Sequence, residues 1–515
     1  MQNSVSNFKV GLRAPNACVF CRRRKRTCDK TLPQCSACVA KLVKCDYTFK
    51  PLSVADSESF GSSTPDGNTF TKRWHNGQPL LAATNHEQRF PAAFFLDRRV
   101  FDYSHAEIPK PSMIVPIYIT EYIGDPQTIA ANFWDSVHWW MPIISKKRFY
   151  NYVMNPLVPK IAELPLLLAS MKLVLWNPGS EVQPSMEHLA LKHSILEAES
   201  AGILTLSLLQ TKILLTIYEL GHAIYPAAYF SIASCARYGT VLGVNRCLES
   251  NELSNAPTAV LEAEEKKRAW WAILILDRFI QLGHVTQSSC TEDPESSSYL
   301  PCDDSAFEQG SITEESFRIS SPASVQMGMM ARMSQATFLL GRVLRLQSRK
   351  HGMEEDDAMQ AERWQLDATL RALLNLSYVE GSIRLVPVCA QTSICYSALI
   401  ILHDPTSVRT DKEHFTFAME VLKPVVDDMS WASGIMFQSR IISVADASPL
   451  LLMWAYQAIT IYRRLEQRYG DAVHAPLALM EEKLRIMSRR WKVGEAYSRI
   501  LEAREITKMD EHVQG

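Results

Sequence analysis

The chain has 515 residues, 47% hydrophobic and 21% charged, which leaves room for about three domains of ~150 residues and excludes wholesale disorder. Its 20 Gly and 26 Pro exclude a collagen-like or proline-rich polymer. The near-neutral total of −1 conceals a division: Met1 to Lys50 holds eleven Lys and Arg against Asp29 and Asp46, a net of +9, and the other 465 residues carry −10. A cationic head on an acidic body directs the head toward a polyanion, either nucleic acid or an anionic membrane surface.

The first residues, Met1-Gln2-Asn3-Ser4-Val5-Ser6, lead into no apolar run of the kind that directs secretion, so a reducing compartment is expected. Six of the 12 cysteines, Cys18, Cys21, Cys28, Cys35, Cys38 and Cys45, follow C-x2-C-x6-C-x6-C-x2-C-x6-C, two copies of one unit. The repeat implies two similar helix-turn pieces about a local pseudo-two-fold axis. Zinc takes four tetrahedral ligands, so two ions need eight ligand positions, and six thiolates fill them only when two sulfurs bridge both metals. Repeat symmetry selects Cys18 and Cys35 as bridges, with Cys21 and Cys28 completing one ion and Cys38 and Cys45 the other. Two other readings stand beside this one: a disulfide framework, and a single four-cysteine zinc with two idle thiols. The first lacks the secretory leader such frameworks carry, and the second leaves the repeat without a purpose.

The basic run Arg22-Arg23-Arg24-Lys25-Arg26 follows the second cysteine, Asp29 follows the third, and Pro33 stands two residues before the fourth. With its six ligands this segment resembles the fungal Zn(2)-C6 binuclear-cluster transcription factors. The resemblance implies a small irregular domain of two short helices around two Zn²⁺ ions. It also implies a helix after Cys21 whose C-terminal end enters the DNA major groove and reads a CGG triplet. Arg24 and Lys25 occupy the family's base-contacting positions, and guanine O6 and N7 are acceptors that either side chain can satisfy. Arg22, Arg23, Arg26 and Lys44 are then expected on phosphates, which set register without reading sequence. Thr27 departs from the family, which places Lys or Arg just before the third cysteine; here Arg26 carries that charge one residue earlier. With metal bound the head remains cationic, since six thiolates and two Zn²⁺ remove only about two charges.

Past Lys50 the composition turns to Ser, Thr, Gly, Asn and Pro, and residues 51–110 are expected to form a flexible linker. No sustained heptad marks a coiled coil there, which leaves a homodimer open without a motif that enforces it. Residues 111–515 read as a large all-α regulatory domain, because helical patterns with punctuated ends recur and β-alternation is scarce. Leu166 to Trp176 is apolar and stops at Asn177-Pro178-Gly179; the next helix is expected to start with Ser185 as N-cap and to end at Gly202. The longest apolar runs, Leu164 to Trp176 and Pro449 to Tyr462, fall short of the ~20 residues of a membrane span. Glu264 and Glu265 are expected near the N-terminus of a helix running through Arg278, where the macrodipole favours acids. The middle of that helix is apolar on every side, which places Trp270 and Trp271 in the core and pairs Asp277 and Arg278 with neighbours.

Phe133, His138, Pro142, Ile143 and Phe149, then Ala236-Arg237-Tyr238-Gly239, the run Glu265 to Arg278, and Leu300-Pro301-Cys302-Asp303-Asp304 resemble, in that order, the middle homology region of the same family. His138, among Trp134, Trp139 and Trp140, is expected to pack rather than to ligate. Cys235, Cys247, Cys290, Cys302, Cys389 and Cys395 have no CxxC spacing and are expected to be small buried hydrophobes. The acidic run Glu354-Glu355-Asp356-Asp357 reads as a solvated loop or helix start rather than an activating surface.

Phosphate loops, GxSxG, HExxH and GxGxxG are absent from the sequence, so an enzyme is not expected. Membrane-surface binding lacks an amphipathic Trp/Leu face and leaves the cysteine spacing unexplained. The expectation is a nuclear, double-stranded-DNA-binding transcription regulator that engages the transcription machinery or coactivators. By analogy it controls a pathway gene set such as a secondary-metabolite biosynthetic cluster.

Overall fold

The computed structural model describes residues 14, 17–24, 26–41, 43, 45, 47, 91–104, 108, 113–155, 157, 163–179, 182–249, 257–284, 287–312, 317–322, 324–350, 356–384, 389–404, 412–438, 443–444 and 447–507. These divide into two compact units, 1–108 and 109–515.

In the first unit, α1 (Val19–Arg23) and α2 (Ser36–Val39) begin one residue after corresponding cysteines of the repeat. Cys18 and Cys35 are the extended N-cap residues, at φ −61° and −75°, so that Cys21 and Cys38 fall in the first turns beside them. The x2 spacing thereby places both sulfurs of each pair at one helix end. Further along are α3 (Ala93–Leu96) and α4 (Arg98–Ser104), joined by Arg98, whose guanidinium lies over the rings of Phe94 at 4.5 Å and Phe101 at 5.3 Å. They are helical within the stretch read as linker; 51–90, with the coiled-coil question, lie outside the described residues.

The second unit is helical. It runs through α5 (Ile117–Ile123), α6 (Pro126–Ser136), α7 (Lys146–Arg148), α8 (Leu164–Leu175), α9 (Ser185–Ser200), α10 (Leu206–Gly221), α11 (Ala227–Leu242) and α12 (Pro257–Ile280). It continues with α13 (Asp304–Gln309), α14 (Met329–Lys350), α15 (Asp357–Arg384), α16 (Cys389–His403), α17 (Lys412–Gln438), α18 (Leu450–Tyr469), α19 (His474–Ser488) and α20 (Val493–Thr507). Among the described residues there is no strand; an isolated bridge joins Tyr299 and Arg318. The all-α body expected from the patterning is what forms. α10 packs on α8 and α11, and α14 packs on α16, so one continuous apolar core runs from Ile119 to Leu501.

Two helix starts differ from expectation. Ser185 is the first residue of α9 rather than its cap; Pro184 holds the cap position and no side chain caps the end. α12 begins at Pro257, so Glu264 and Glu265 lie two turns inside it, and ion pairing rather than the helix end stabilises them. Trp270, Trp271 and the residues through Leu276 are buried, as the unbroken apolar run implies. Asp277 and Arg278 pair at 2.7 Å, and Arg278 reaches Asp293 at 2.8 Å.

The chain's far end closes on its beginning within this unit. Arg490 donates to the carbonyls of Trp176 at 2.9 Å and Val174 at 2.6 Å, satisfying acceptors that the end of α8 leaves open. Trp491 lies fully buried beside Gly221, where no larger residue leaves the ring its place.

Candidate metal centre and nucleic-acid interface

Two groups of four sulfurs, Cys18-Cys21-Cys28-Cys35 and Cys18-Cys35-Cys38-Cys45, each lie within 4.8 Å of one another and share Cys18 and Cys35. Sulfurs ~2.3 Å from a tetrahedral zinc stand about 3.8 Å apart. The separations are 3.7 Å for Cys18–Cys35, 3.7 Å for Cys21–Cys35 and 3.5 Å for Cys18–Cys38, so the donor set fits two ions with two shared ligands.

Charge leads to the same requirement. Burial pushes the Cys21 thiol up to about 12, and its hydrogen bonds to Cys18 and Cys35 push it further in that direction. Burial also raises Cys38. Burial opposes ionisation of Cys18 too, but the Cys21 amide at 3.5 Å and the thiols of Cys38, Cys21 and Cys35 outweigh it and lower Cys18 to about 6. Burial opposes ionisation of Cys28 as well, but backbone amides outweigh it and lower that thiol, whereas burial raises Cys35, so charge on some of the sulfurs opposes ionisation of the rest. Divalent cations among the sulfurs remove that repulsion.

A carboxylate joins the two copies of the repeat. Asp29 accepts from the Ser36 amide at 3.1 Å, from the Ser36 hydroxyl, and from Thr31 Oγ1 at 2.7 Å, tying the first loop to the start of α2. The Ser36 and Thr31 hydroxyls hold its carboxyl at about 2. Sequence reasoning noted Asp29 without giving it a role, though an acid kept inside a strongly basic stretch was itself a signal. Tyr47 ties the other end down by donating to the Thr31 carbonyl at 2.9 Å.

The basic residues of the head stand as follows. Arg22, Arg24 and Arg26 are exposed, and Arg24 caps α1 with its guanidinium 5.5 Å over the Phe20 ring. Arg23 is helical in backbone; its side chain, like Lys25 and Lys44, lies outside the described residues. The helix expected after Cys21 instead starts before it, at Val19.

Residues 16–52 match the family of the fungal Zn(2)-Cys(6) binuclear cluster domain, and residues 130–371 match the fungal specific transcription factor domain. The chain is 33% identical over 177 residues to "Transcription factor BOA15" of Botryotinia fuckeliana, covering 34% of this chain and 98% of that protein. This decides the family. The chain belongs to the fungal Zn(2)-Cys(6) transcription factors. It is 24% identical over 410 residues to the azaphilone cluster-specific transcription factor azaR of Aspergillus niger, covering 73% of this chain and 83% of that one. With the pigment biosynthesis transcriptional activator pigB of Monascus ruber it shares 21% identity over 545 aligned positions, 95% of this chain and 94% of that one. No solved structure matches the chain.

As a member of this family the protein is a DNA-binding transcription regulator and not an enzyme, and its cofactor is the two-zinc cluster that the six head cysteines are arranged to hold. The family acts on nuclear DNA, and no described helix is long and apolar enough to cross a membrane.

In the body, three separated motifs of the fungal transcription factor region meet at one side chain. Arg268, fully buried, donates to Glu264 at 3.0 Å, to Asp304 at 2.8 Å, to the Cys302 carbonyl at 2.9 Å and to the Pro142 carbonyl at 3.4 Å. Its guanidinium also lies 4.0 Å over the Phe307 ring. Beside it Glu265 accepts from the Ser145 amide at 2.7 Å and pairs with Arg148. The order Pro142, Glu264-Arg268, Cys302-Asp304 in the sequence thus records one buried polar junction, which sequence reading missed because Pro142 and Arg268 lie 126 residues apart.

Other body residues divide. His138 packs edge-on against Trp134 at 4.8 Å and is buried, as expected. Cys235, Cys302 and Cys395 are buried, and burial raises Cys235 to about 11 and Cys302 to about 12. Cys247 is only half-buried and Cys290 is exposed, against expectation: Cys290 sits in the loop beyond α12, its amide bonded to Asp277 at 3.2 Å. The Cys389 side chain lies outside the described residues, as do Glu354 and Glu355. Asp356 accepts from the Met359 amide at 2.7 Å and Asp357 opens α15, which makes this end of the acidic run a helix start.

Proposed function

We propose that this protein is a pathway-dedicated nuclear regulator whose zinc cluster reads CGG-type triplets and whose body, residues 111–515, carries regulation. Residues 1–50 form the DNA-binding domain and 51–110 the linker in this reading. Cys18, Cys21, Cys28 and Cys35 hold one zinc; Cys18, Cys35, Cys38 and Cys45 hold the other. The observation that carries it is the six-sulfur cluster with exposed Arg22, Arg24 and Arg26 on and just beyond the helix it anchors. A helix fixed at its N-terminal end by metal presents its C-terminal residues as a rigid probe, which suits major-groove readout.

Arg24 and Lys25 donate to guanine O6 and N7; Arg22, Arg23, Arg26 and Lys44 hold phosphates and set register. The relatives' names supply the pathway: proteins called an azaphilone cluster-specific factor and a pigment biosynthesis activator support control of a secondary-metabolite gene set. Contact with coactivators through the body, and a homodimer on paired triplets, belong to the same reading.

Selection of duplexes from a random pool by the zinc-loaded full chain at fixed salt tests it. CGG enrichment is expected, and Arg24→Ala is expected to cost about 1–3 kcal/mol on the selected site with little change on unrelated DNA. Enrichment of unrelated sequences, or an equal loss on all DNA, defeats the base-contact assignment.

A further inference from the structure

The residues Arg22 to Arg26 are all basic, and a hydroxyl follows them directly, on Thr27. The Arg26 amide donates to the Cys21 carbonyl at 2.9 Å, which holds the chain against the end of α1. Thr27 comes next, exposed and in irregular backbone, with the metal ligand Cys28 after it.

Thr27 differs from the other hydroxyls described in the head. Thr31 Oγ1 donates to Asp29 at 2.7 Å, Ser36 Oγ donates to the same carboxylate, and Tyr47 donates to the Thr31 carbonyl at 2.9 Å. Modification of any of those three would break a bond that ties the two copies of the repeat together. Among the described residues the Thr27 hydroxyl has no hydrogen-bond partner, so modifying it costs the cluster none of these ties.

The surrounding charge fits one chemistry. Protein kinases select acceptors by charge pattern, and those whose peptide groove is lined by carboxylates take Arg or Lys two and three residues before the hydroxyl. Lys25 and Arg24 stand at those positions, and Arg22 and Arg23 extend the run. Ser348, with Arg345 three residues before it, lies inside α14, where a helical backbone cannot be laid along such a groove.

A phosphothreonine carries about −1.5 to −2 charge. At residue 27 it adjoins Arg26, which holds a DNA phosphate in the reading proposed above, so it repels the duplex and competes for that guanidinium. Where the family places a fixed cation, this chain places a group whose charge an enzyme can set.

We propose that Thr27 is a phosphorylation site for a basophilic protein kinase, and that the phosphate releases the head from DNA. The reaction forms a bond between Thr27 Oγ1 and the γ-phosphorus of MgATP as the bond from that phosphorus to the β,γ-bridging oxygen breaks. ADP leaves, and the hydroxyl proton passes to the kinase's catalytic carboxylate. The release rests on the head being the DNA-binding domain; the modification does not.

The test treats the zinc-loaded full chain with the catalytic subunit of cyclic-AMP-dependent protein kinase and MgATP, locates phosphate by mass spectrometry, and titrates a CGG duplex and an unrelated duplex. Phosphate on Thr27 is expected, with zinc still at two per chain. Both duplexes should then bind at least about tenfold more weakly, and the slope of log affinity against log salt should be shallower by about two, because repulsion between phosphates is independent of sequence. Thr27→Val should bind both duplexes as the natural chain does and lose nothing on kinase treatment. Thr27→Glu, with one fixed charge, should show about half the change in slope. An untreated chain that bound neither duplex would defeat the DNA-binding reading and the release with it. With the untreated chain binding, the proposal alone is overturned by no phosphate on Thr27, by unchanged affinity once Thr27 is phosphorylated, by loss of zinc with the phosphate, or by an equal loss in treated Thr27→Val.

Discussion

The head and the body of this protein solve the same problem with different materials. In the body the buried interior is mainly Leu, Ile, Met, Ala and Trp, gathered from helices between α5 and α20, and the charged side chains Arg268, Arg278 and Arg332 inside it are ion-paired. In the head the fully buried side chains are sulfurs, those of Cys18, Cys21, Cys35 and Cys38, with Phe20, Val43 and Tyr47 only partly covered around them. A segment of that size has too little apolar surface to offset the entropy of ordering its chain, so metal–thiolate bonds take the place of a core. The contrast implies that perturbations should separate: whatever removes metal breaks the head and spares the body, and whatever disturbs apolar packing or buried ion pairs does the reverse.

The largest effect is therefore expected from the bridging ligands. Cys18→Ser or Cys35→Ser takes a ligand from both ions, and zinc content should fall from two per chain toward zero with loss of specific DNA binding. Cys28→Ser or Cys45→Ser removes a ligand from one ion, and a partly loaded species is expected. Metal content by atomic spectroscopy, beside the thermal melt of the full chain, checks this. A body transition that shifted with zinc content would break the proposed separation.

Next in size is the junction at Arg268. Arg268→Met leaves Glu264 and Asp304 without their shared cation, and Glu264 is buried with it. Removing one partner of a buried pair typically costs about 3–5 kcal/mol, so the urea midpoint of the body should fall accordingly. Arg268→Met combined with Glu264→Leu should recover part of that loss, because a buried acid left with Lys267 alone, at 3.2 Å, is gone. Equal midpoints for the single and double variants would show that Arg268 acts by packing alone.

His222 offers a pH test of the same body. It lies among Trp176, Tyr218 and Trp491, with ring centroids 4.7 to 5.2 Å away, and burial first, then Arg490 and Lys492, lower its pKa to about 3. The unfolded value is about 6.5. Between those values the unfolded chain binds the proton that the folded one refuses, so the contribution is complete above about pH 6.5 and lost as pH falls toward 3. Its slope approaches about 1.4 kcal/mol per pH unit. His222→Gln is expected to remove that slope between pH 6.5 and 4.5 in denaturant titrations; parallel curves would show that the imidazole is protonated in the folded protein.

The two regions also differ in how readily their sequences disclose them. The metal site is written locally: Cys18 and Cys21, or Cys35 and Cys38, need only one helical turn to converge, so spacing alone gives the ligand groups and their shared members. The class of the body and the burial of Trp270 and Trp271 follow from periodicity. What spacing could not give is pairing across the chain, such as Arg148 with Glu265, 117 residues apart, or Arg490 with the end of α8, more than 300 residues away. The misreading of Glu264 and Glu265 as a helix start has that origin, since an acid near a run of apolar residues looks alike whether it faces a helix end or a buried arginine. Cys290 shows the reverse error: composition suggested burial, but its loop keeps it at the surface.

The smallest effects come from two glycines in helices, which separate packing from backbone entropy. At Gly221, the last residue of α10, an added Cβ falls inside contact distance of the Trp491 ring. That ring cannot swing away, because it is fully buried, its N–H is bonded to the Ala447 carbonyl at 2.6 Å, and Arg490 covers its face at 3.9 Å. Gly221→Ala should cost about 1–3 kcal/mol by overpacking. At Gly434 in α17 nothing lies within 4 Å of the same added carbon. There the substitution only removes freedom from the unfolded chain, and a gain of about 0.5–1 kcal/mol is expected. Urea titrations of both variants at one pH should move in opposite directions from the natural chain. If Gly221→Ala were neutral, the Trp491 contact that closes the end of the body onto α10 would be looser than its burial indicates, and the body would be less of a single packed unit than its continuous core implies.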